Sequence, residues 1–115
     1  RSLFLLRDRL GIKPLYIYQK GQHLAFASEI NALVALLNRQ GISLNLHHPA
    51  VRHFLHYGYI PDGMTIWEGI TPFPAGHFGR YEQGRLTLTP FWKAEEKVET
   101  KPFSPTLPLK NQLRE

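Results

Sequence analysis

Hydrophobic residues along this chain recur with two spacings, one typical of strands and one typical of amphipathic helices. The first apolar run, residues 3–6, is continuous and predicts a strand that is buried on both faces. Aromatic and β-branched residues at 16–18 and apolar residues at 23–27 flank a turn at Lys20-Gly21. This pattern predicts an antiparallel hairpin.

A first helix is predicted from Ser28 onward, because apolar residues then recur at i, i+3, i+4 and i+7. The stripe consists of Ile30, Leu33, Val34 and Leu37. The hydroxyl of Ser28 is expected to cap the first turn, and the carboxylate of Glu29 to complement the helix dipole. Gly41 is expected to end the helix in a left-handed conformation.

A second helix is predicted to begin at His48-Pro49, since proline lacks an amide that the first helical turn leaves unpaired in any case. Gly58 is expected to end it. The predicted buried stripe consists of Val51, Phe54 and Leu55. Beyond it, residues 65–76 are rich in proline and aromatics without a period, which indicates an ordered surface loop.

Histidines cluster in and beside the second helix, which raises the question of a metal site. The four are His47, His48, His53 and His56. Arg52 lies among them and would repel a cation, and no carboxylate or thiolate is near in sequence to complete a tetrahedral set. On a helical wheel His53 and His56 lie opposite the apolar stripe. We therefore interpret them as a solvent-facing polar surface and predict no metal.

The rest of the chain divides into a second hairpin and a tail. Residues 77–81 and 85–89 flank a turn that contains glycine and predict the hairpin, and residues 90–92 close the folded part. Residues 93–108 are charged and punctuated by proline, which predicts a linker. Residues 109–115 resemble the first turns of a helix and are interpreted as the start of a following domain.

Composition narrows the class of protein. A chain of 115 residues forms one domain or less. It contains no cysteine, which fits a reducing compartment such as the cytoplasm. No apolar run approaches the roughly 20 residues that a membrane span needs. The net charge is +5, but its 14 Lys and Arg residues are scattered singly, so we predict no nucleic-acid binding.

The sequence offers no local catalytic centre. None of its serines lies in a Gly-x-Ser-x-Gly context, and its glycines match neither the dinucleotide nor the P-loop spacing. The pair Arg7-Asp8 is different, because it lies at the end of a buried strand, and partly buried charges need partners. Asp8 is expected to accept backbone amides and Arg7 to bind a nearby carboxylate. Alternatively, the pair shapes a site or a domain interface.

The segment Arg7-Asp-x-x-Gly11-x-x-Pro14-Leu-Tyr16, followed by Phe-Ala-Ser28-Glu29-Ile, closely resembles the glutamine-dependent asparagine synthetases. Further matching pieces follow in the same order. They are Tyr57-Gly-Tyr-Ile-Pro61, Thr65-Ile-Trp-Glu-Gly-Ile70, Pro74-Ala-Gly-His77 and Phe91-Trp92. The resemblance covers residues 3–93 and points to residues 1–92 as the closing part of a glutaminase domain of the class II amidotransferases.

The resemblance implies an α+β fold that forms part of an N-terminal-nucleophile sandwich, with antiparallel sheets between helices. In that family a terminal cysteine attacks glutamine, and the released ammonia reaches aspartate that ATP has activated. Glutamine, aspartate, ATP and magnesium are thus implied for the full-length protein, with none bound by this piece. A homodimer is left open.

The same resemblance leaves no catalytic residue in this sequence, since the family's cysteine and glutamine-binding residues are expected upstream of the segment that matches. Arg7, Asp8, Gly11, Pro14, Tyr16, Ser28 and Glu29 match the family's motif as scaffold or interface positions. We expect an inactive piece of an asparagine synthetase. Two alternatives stay open, namely an amidotransferase with another acceptor and a non-catalytic binding module that kept the scaffold.

Overall fold

The computed structural model describes residues 1–94, which form an α+β arrangement of six strands and two helices. In chain order these are β1 (Ser2–Leu6), β2 (Tyr16–Lys20), β3 (His23–Ala27), α1 (Ile30–Arg39), α2 (His48–Tyr57), β4 (Ile70–Pro72), β5 (His77–Glu82) and β6 (Arg85–Pro90). The first sheet has the order β1-β5-β6 and the second the order β3-β2-β4, and every pairing in them is antiparallel. The α+β class is therefore confirmed.

Both predicted hairpins are present. Tyr16 pairs with Ala27 in β2–β3, and His77 pairs with Pro90 in β5–β6. The β5–β6 turn places Gln83 at φ 50° and Gly84 at φ 80°. Two positive φ values in a two-residue loop are typical of the turn whose twist matches a hairpin.

Strand β2 holds the layers together because its side chains alternate between two cores. Tyr18 packs with Leu33 and Leu37 of α1 on one side of the second sheet. Ile17, its neighbour, packs with Leu5 of β1 on the other side. The order of layers is thus α1, second sheet, first sheet.

Helix α1 confirms the predicted apolar stripe. Leu33 and Leu37 are fully buried, while Ile30 and Val34 pack at the margin of the same core. At its end the amide of Ile42 donates to the Leu37 carbonyl and the amide of Gly41 to that of Asn38. This pair of bonds satisfies carbonyls that the last turn leaves free, so the predicted glycine stop is confirmed.

The predicted cap of α1 is wrong. The helix begins at Ile30, its N-cap residue is Glu29 in an extended conformation, and no side chain caps it. Ser28 lies one position too early, which removes its hydroxyl from the amides of the first turn. The first turn contains no acidic residue, and Glu29 contributes its carbonyl, which accepts the Leu33 amide at 3.2 Å.

Strand β1 is not buried on both faces. Within the described residues only Leu5 of this strand is buried, while the side chains of Phe4 and Leu6 are 62% and 67% exposed. The reason is topological. Strand β1 is at the edge of the first sheet, and its outer face carries no layer in residues 1–94.

Helix α2 also buries a different face from the predicted one. Ala50 is fully buried, whereas Phe54 and Leu55 are 48% and 78% exposed. The helix is attached at its start, where the amide of His47 donates to the Ile66 carbonyl at 2.8 Å. Its end at Gly58, with φ 79°, is as predicted.

Residues 65–76 are not a surface loop but supply much of the core. Strand β4 pairs with β2, and Ile70 and Phe73 are buried at 1% and 0% exposure. Ile70 joins the core under α1, while Phe73 fills the space between the two sheets. A three-residue strand is too short to show a period, so the pattern gave no signal.

The tips of the two hairpins are in contact. The hydroxyl of Tyr81 donates to the carbonyl of Gln22, and the side-chain amide of Gln19 donates to the carbonyl of Gly84 at 3.2 Å. A Cβ atom on Gly84 would lie 2.7 Å from Cγ of Gln22. These contacts join the first sheet to the second at one end, as Phe73 does in the middle.

The predicted linker at 93–108 and the helix start at 109–115 fall outside the described residues, apart from residues 93 and 94. Across the part of the chain that is described, no helix is long and apolar enough to cross a membrane.

Candidate functional site

The corner between β1 and β2 is built around the guanidinium of Arg7. Its Nε donates to the carbonyl of Lys13 at 3.1 Å, one terminal nitrogen to that of Gly11 at 2.8 Å, and the other to that of Phe73. The expected carboxylate partner is wrong, since the salt bridge in residues 1–94 is between Arg80 and Glu82. Arg7 instead ties its own loop to the end of β4, because a planar fork can reach several carbonyls at once.

Asp8 closes the same corner from the opposite side. One oxygen of its carboxylate accepts the amide of Ile12 at 3.1 Å, which confirms the expected bond to a backbone amide. Its own carbonyl accepts the amides of Gly11 at 3.1 Å and Gly76 at 2.9 Å. Asp8 thus connects the corner to the segment that precedes β5.

The corner is packed too closely for a side chain at Gly11. This residue has φ 62°, and a Cβ atom there would lie 2.9 Å from Cβ of Ala75 and 3.1 Å from Cζ of Arg7. A real Cβ does not approach another carbon so closely. Glycine at this position therefore lets the Arg7 fork lie against its own loop.

A cavity of about 740 Å³ opens beside the corner. Its wall includes Arg7, Gly11, Tyr16, Asn31, Thr65 and Trp67. Three separate parts of the chain meet here, namely the corner, the start of α1 and the segment around β4. We call this space the corner cavity.

The predicted motif positions do not all reach the corner cavity. Arg7, Gly11 and Tyr16 line it. Asp8 does not line the cavity, although its carbonyl binds the amides of Gly11 and Gly76. Pro14 is exposed just before β2. Ser28 and Glu29 are exposed and outside the wall, although Ile30 and Asn31, which follow them, belong to it.

Thr65 is a contributor that the sequence pattern missed. It is 4% exposed, and its hydroxyl lies 2.8 Å from the Ile70 carbonyl while accepting the Trp67 amide at 3.1 Å. Buried hydroxyls need such partners, and here they fold the chain into the approach to β4. The available signal was Thr65 within the motif Thr-Ile-Trp-Glu-Gly-Ile, whose role only the structure reveals.

The corner cavity has the properties of a rigid wall rather than of a reaction centre. Its guanidinium is engaged by three carbonyls, and its buried hydroxyl, that of Thr65, is engaged by backbone groups. Among its described lining residues there is no histidine, cysteine or serine to form a nucleophile with a base. A single engaged cation also does not suit a triphosphate, so an ATP site does not fit here.

Contacts to backbone carbonyls or aromatic rings are made by His47, His53 and His56. Nδ1 of His53 lies 3.1 Å from the Tyr59 carbonyl oxygen. The centroid of the His53 ring lies 4.5 Å from the centroid of the Tyr57 ring. Nδ1 of His47 lies 3.3 Å from the Thr65 carbonyl. Contrary to the expected solvent-facing surface, His53 is half-buried, whereas His56 is exposed. Over residues 1–94 no group of three or more His, Asp or Glu side chains is placed to hold a metal ion.

Two antiparallel sheets, an apolar helix layer and the Arg-Asp-x-x-Gly corner make up an α+β domain. Residues 1–92 match the glutamine amidotransferase domain family, and the chain belongs to this family.

Among known proteins, the chain is 34% identical over 86 residues to a protein of Mycobacterium tuberculosis provisionally named a glutamine-hydrolysing asparagine synthetase. That match covers 75% of this chain and 13% of the relative. The chain is also 28% identical over 108 residues to asparagine synthetase (glutamine-hydrolysing) 3 of Bacillus subtilis. This second match covers 91% of the chain and 17% of that relative. The chain thus spans less than a fifth of the length of these relatives.

Proposed function

We propose that this chain is the closing part of the glutaminase domain of an asparagine synthetase that works in the cytoplasm. The observation that carries the proposal is the family match over residues 1–92, together with relatives that are named as glutamine-hydrolysing asparagine synthetases. The ordered motif pieces from Arg7 to Trp92 support the same reading.

In the full-length protein, the glutaminase half hydrolyses glutamine to glutamate and ammonia. The synthetase half joins aspartate to AMP from ATP and releases pyrophosphate. Ammonia then displaces AMP and forms asparagine. We assign ATP and magnesium to the second half, as the relationship to the asparagine synthetases implies.

We further propose that the two sheets are part of an N-terminal-nucleophile sandwich. Two features support this proposal. The sheets are antiparallel and pack face to face through Leu5, Ile17 and Phe73. Helix α1 covers the outer side of the second sheet, as one helix layer of such a sandwich does.

The corner serves as scaffold in this proposal. Arg7 and Asp8 hold residues 73–77 against the β1–β2 loop through backbone bonds, so the position of β4 relative to β1 depends on them. A reactive cysteine on another strand of the sandwich needs this register, because catalytic groups lose rate when they move by about an ångström.

The test is an assay of the full-length protein with aspartate, ATP and either glutamine or ammonium. We expect asparagine, AMP and pyrophosphate from both nitrogen sources, with glutamate formed from glutamine alone. Arg7→Ala should lower the reaction with glutamine and spare that with ammonium, whereas Arg9→Ala, at an exposed neighbour, should change neither. Glutamate formed without asparagine would indicate another acceptor, and no glutamate at all would favour a non-catalytic module.

A further inference from the structure

Helix α2 leaves most of its large apolar side chains exposed, including Phe54 and Leu55. Ten-residue helices are marginal in water, and in proteins they are stabilised by packing an apolar face. Yet of α2 only Ala50 is fully buried, while Leu55 is 78% exposed. The exposed face is therefore the part of α2 that lacks its packing partner within residues 1–94.

Basic residues border this exposed face at a regular spacing. His48, Arg52 and His56 follow one another every four residues, which places them along one side of the helix. Together with Val51 and Leu55 they line a groove of about 390 Å³. We call these five residues the basic groove.

No acidic side chain is near in sequence to balance the groove. From residue 30 to residue 61 the chain contains no Asp or Glu. Arg52 also makes no salt bridge within residues 1–94. An exposed Leu beside an Arg that is unpaired in the described part of the chain favours a partner that brings both an apolar side chain and a carboxylate.

We propose that the basic groove docks an acidic amphipathic segment of the full-length protein that lies beyond these 115 residues. The chain spans 13% and 17% of two relatives, so proteins of this kind hold most of their length elsewhere. The segment places apolar residues on Val51 and Leu55 and carboxylates beside Arg52. The proposal rests on the proposed function only in taking the chain as part of a longer protein.

Charge argues against two other occupants. A second copy of the chain would bring its own Arg52 toward this Arg52, and like charges oppose such pairing. A nucleic acid needs several permanent cations along its backbone, and the groove has a single arginine with a leucine beside it.

The first test is hydroxyl-radical footprinting of the full-length protein without substrates, read by mass spectrometry at Leu55. We expect Leu55 to react about tenfold more slowly than in the urea-denatured protein, as for a site that is open a tenth of the time or less. Arg52→Glu should restore fast labelling, and so should high salt. Arg39→Glu, at an exposed basic residue of α1, is the matched control and should change nothing.

The second test identifies the occupant. Arg52→Lys keeps the charge and supplies an amine that a carbodiimide joins to a carboxylate in contact. We expect a cross-link to an acidic peptide beyond residue 115 or before residue 1 of this chain.

Fast labelling of Leu55 in the wild-type protein overturns the proposal. Protection that survives Arg52→Glu overturns the acidic partner, and protection lost on dilution indicates a second copy instead. A cross-link that falls within the 115 residues also contradicts it. None of these outcomes depends on asparagine formation, so the proposed function can fail or hold independently.

Discussion

Replacing Arg7 by alanine removes three hydrogen bonds at once, to the carbonyl oxygens of Gly11, Lys13 and Phe73. A hydrogen bond from a charged donor contributes about 1.5–3 kcal/mol. The bond to Lys13 is exposed, and three bonds of one side chain do not add in full. We therefore expect the free energy of opening the corner to fall by about 3–5 kcal/mol.

Native-state hydrogen exchange measures this change locally. The amides of Gly11, Ile12 and Gly76 all donate to Asp8, so they exchange when the corner opens. A loss of about 3 kcal/mol accelerates their exchange by about a hundredfold. The amide of Ile42, which ends α1, provides an internal reference that should not change.

Two variants separate the effect of the planar guanidinium group from the effect of its positive charge. Arg7→Lys keeps the charge but not the planar fork, and should give an intermediate acceleration. Arg9→Ala removes an exposed arginine two residues away and should leave all three amides unchanged. If Arg7→Ala accelerates exchange less than about threefold, the reasoning from hydrogen bonds is refuted.

Three further predictions concern the free energy of unfolding, measured by urea titration with tryptophan fluorescence. Gly11→Ala should lower it by about 1–3 kcal/mol more than Gly21→Ala, since both have positive φ but only Gly11 is crowded; equal losses would contradict this. Phe73→Ala should cost about 3–5 kcal/mol, whereas Phe4→Ala should cost little, because only Phe73 is fully buried; comparable costs would count against the inter-sheet core. Thr65→Val should cost about 1–3 kcal/mol by leaving the Trp67 amide unpaired, and a neutral effect would show that water replaces the hydroxyl.

Helices and hairpins were predicted correctly from the sequence where a hydrophobic pattern extends over several residues. The α1 stripe and both hairpins follow from periods that repeat several times, and Gly41 and Gly58 end their helices as expected. Strand β4 has three residues and shows no period, so its place in the core comes from pairing with a distant strand.

Burial was the least predictable property. A continuous apolar run predicts a doubly buried strand, yet β1 is at a sheet edge in residues 1–94, and Phe4 and Leu6 are exposed. The bond from Arg7 to Phe73 could not be inferred either, because that carbonyl is 66 residues away in sequence. The family resemblance identified the corner, and the structure supplied its hydrogen bonds.

The contact between the hairpin tips restricts where the chain can change in length. Surface turns are usually the sites where insertions, tags and permuted ends are tolerated. Here the β2–β3 and β5–β6 turns are held together by Tyr81, Gln22 and Gly84, so a lengthened loop at either tip would separate the two sheets. The turn at Gly41 is the better place to insert a tag or a reporter, because its amide donates within the same turn, to Asn38, and a Cβ atom there would meet nothing within 4 Å.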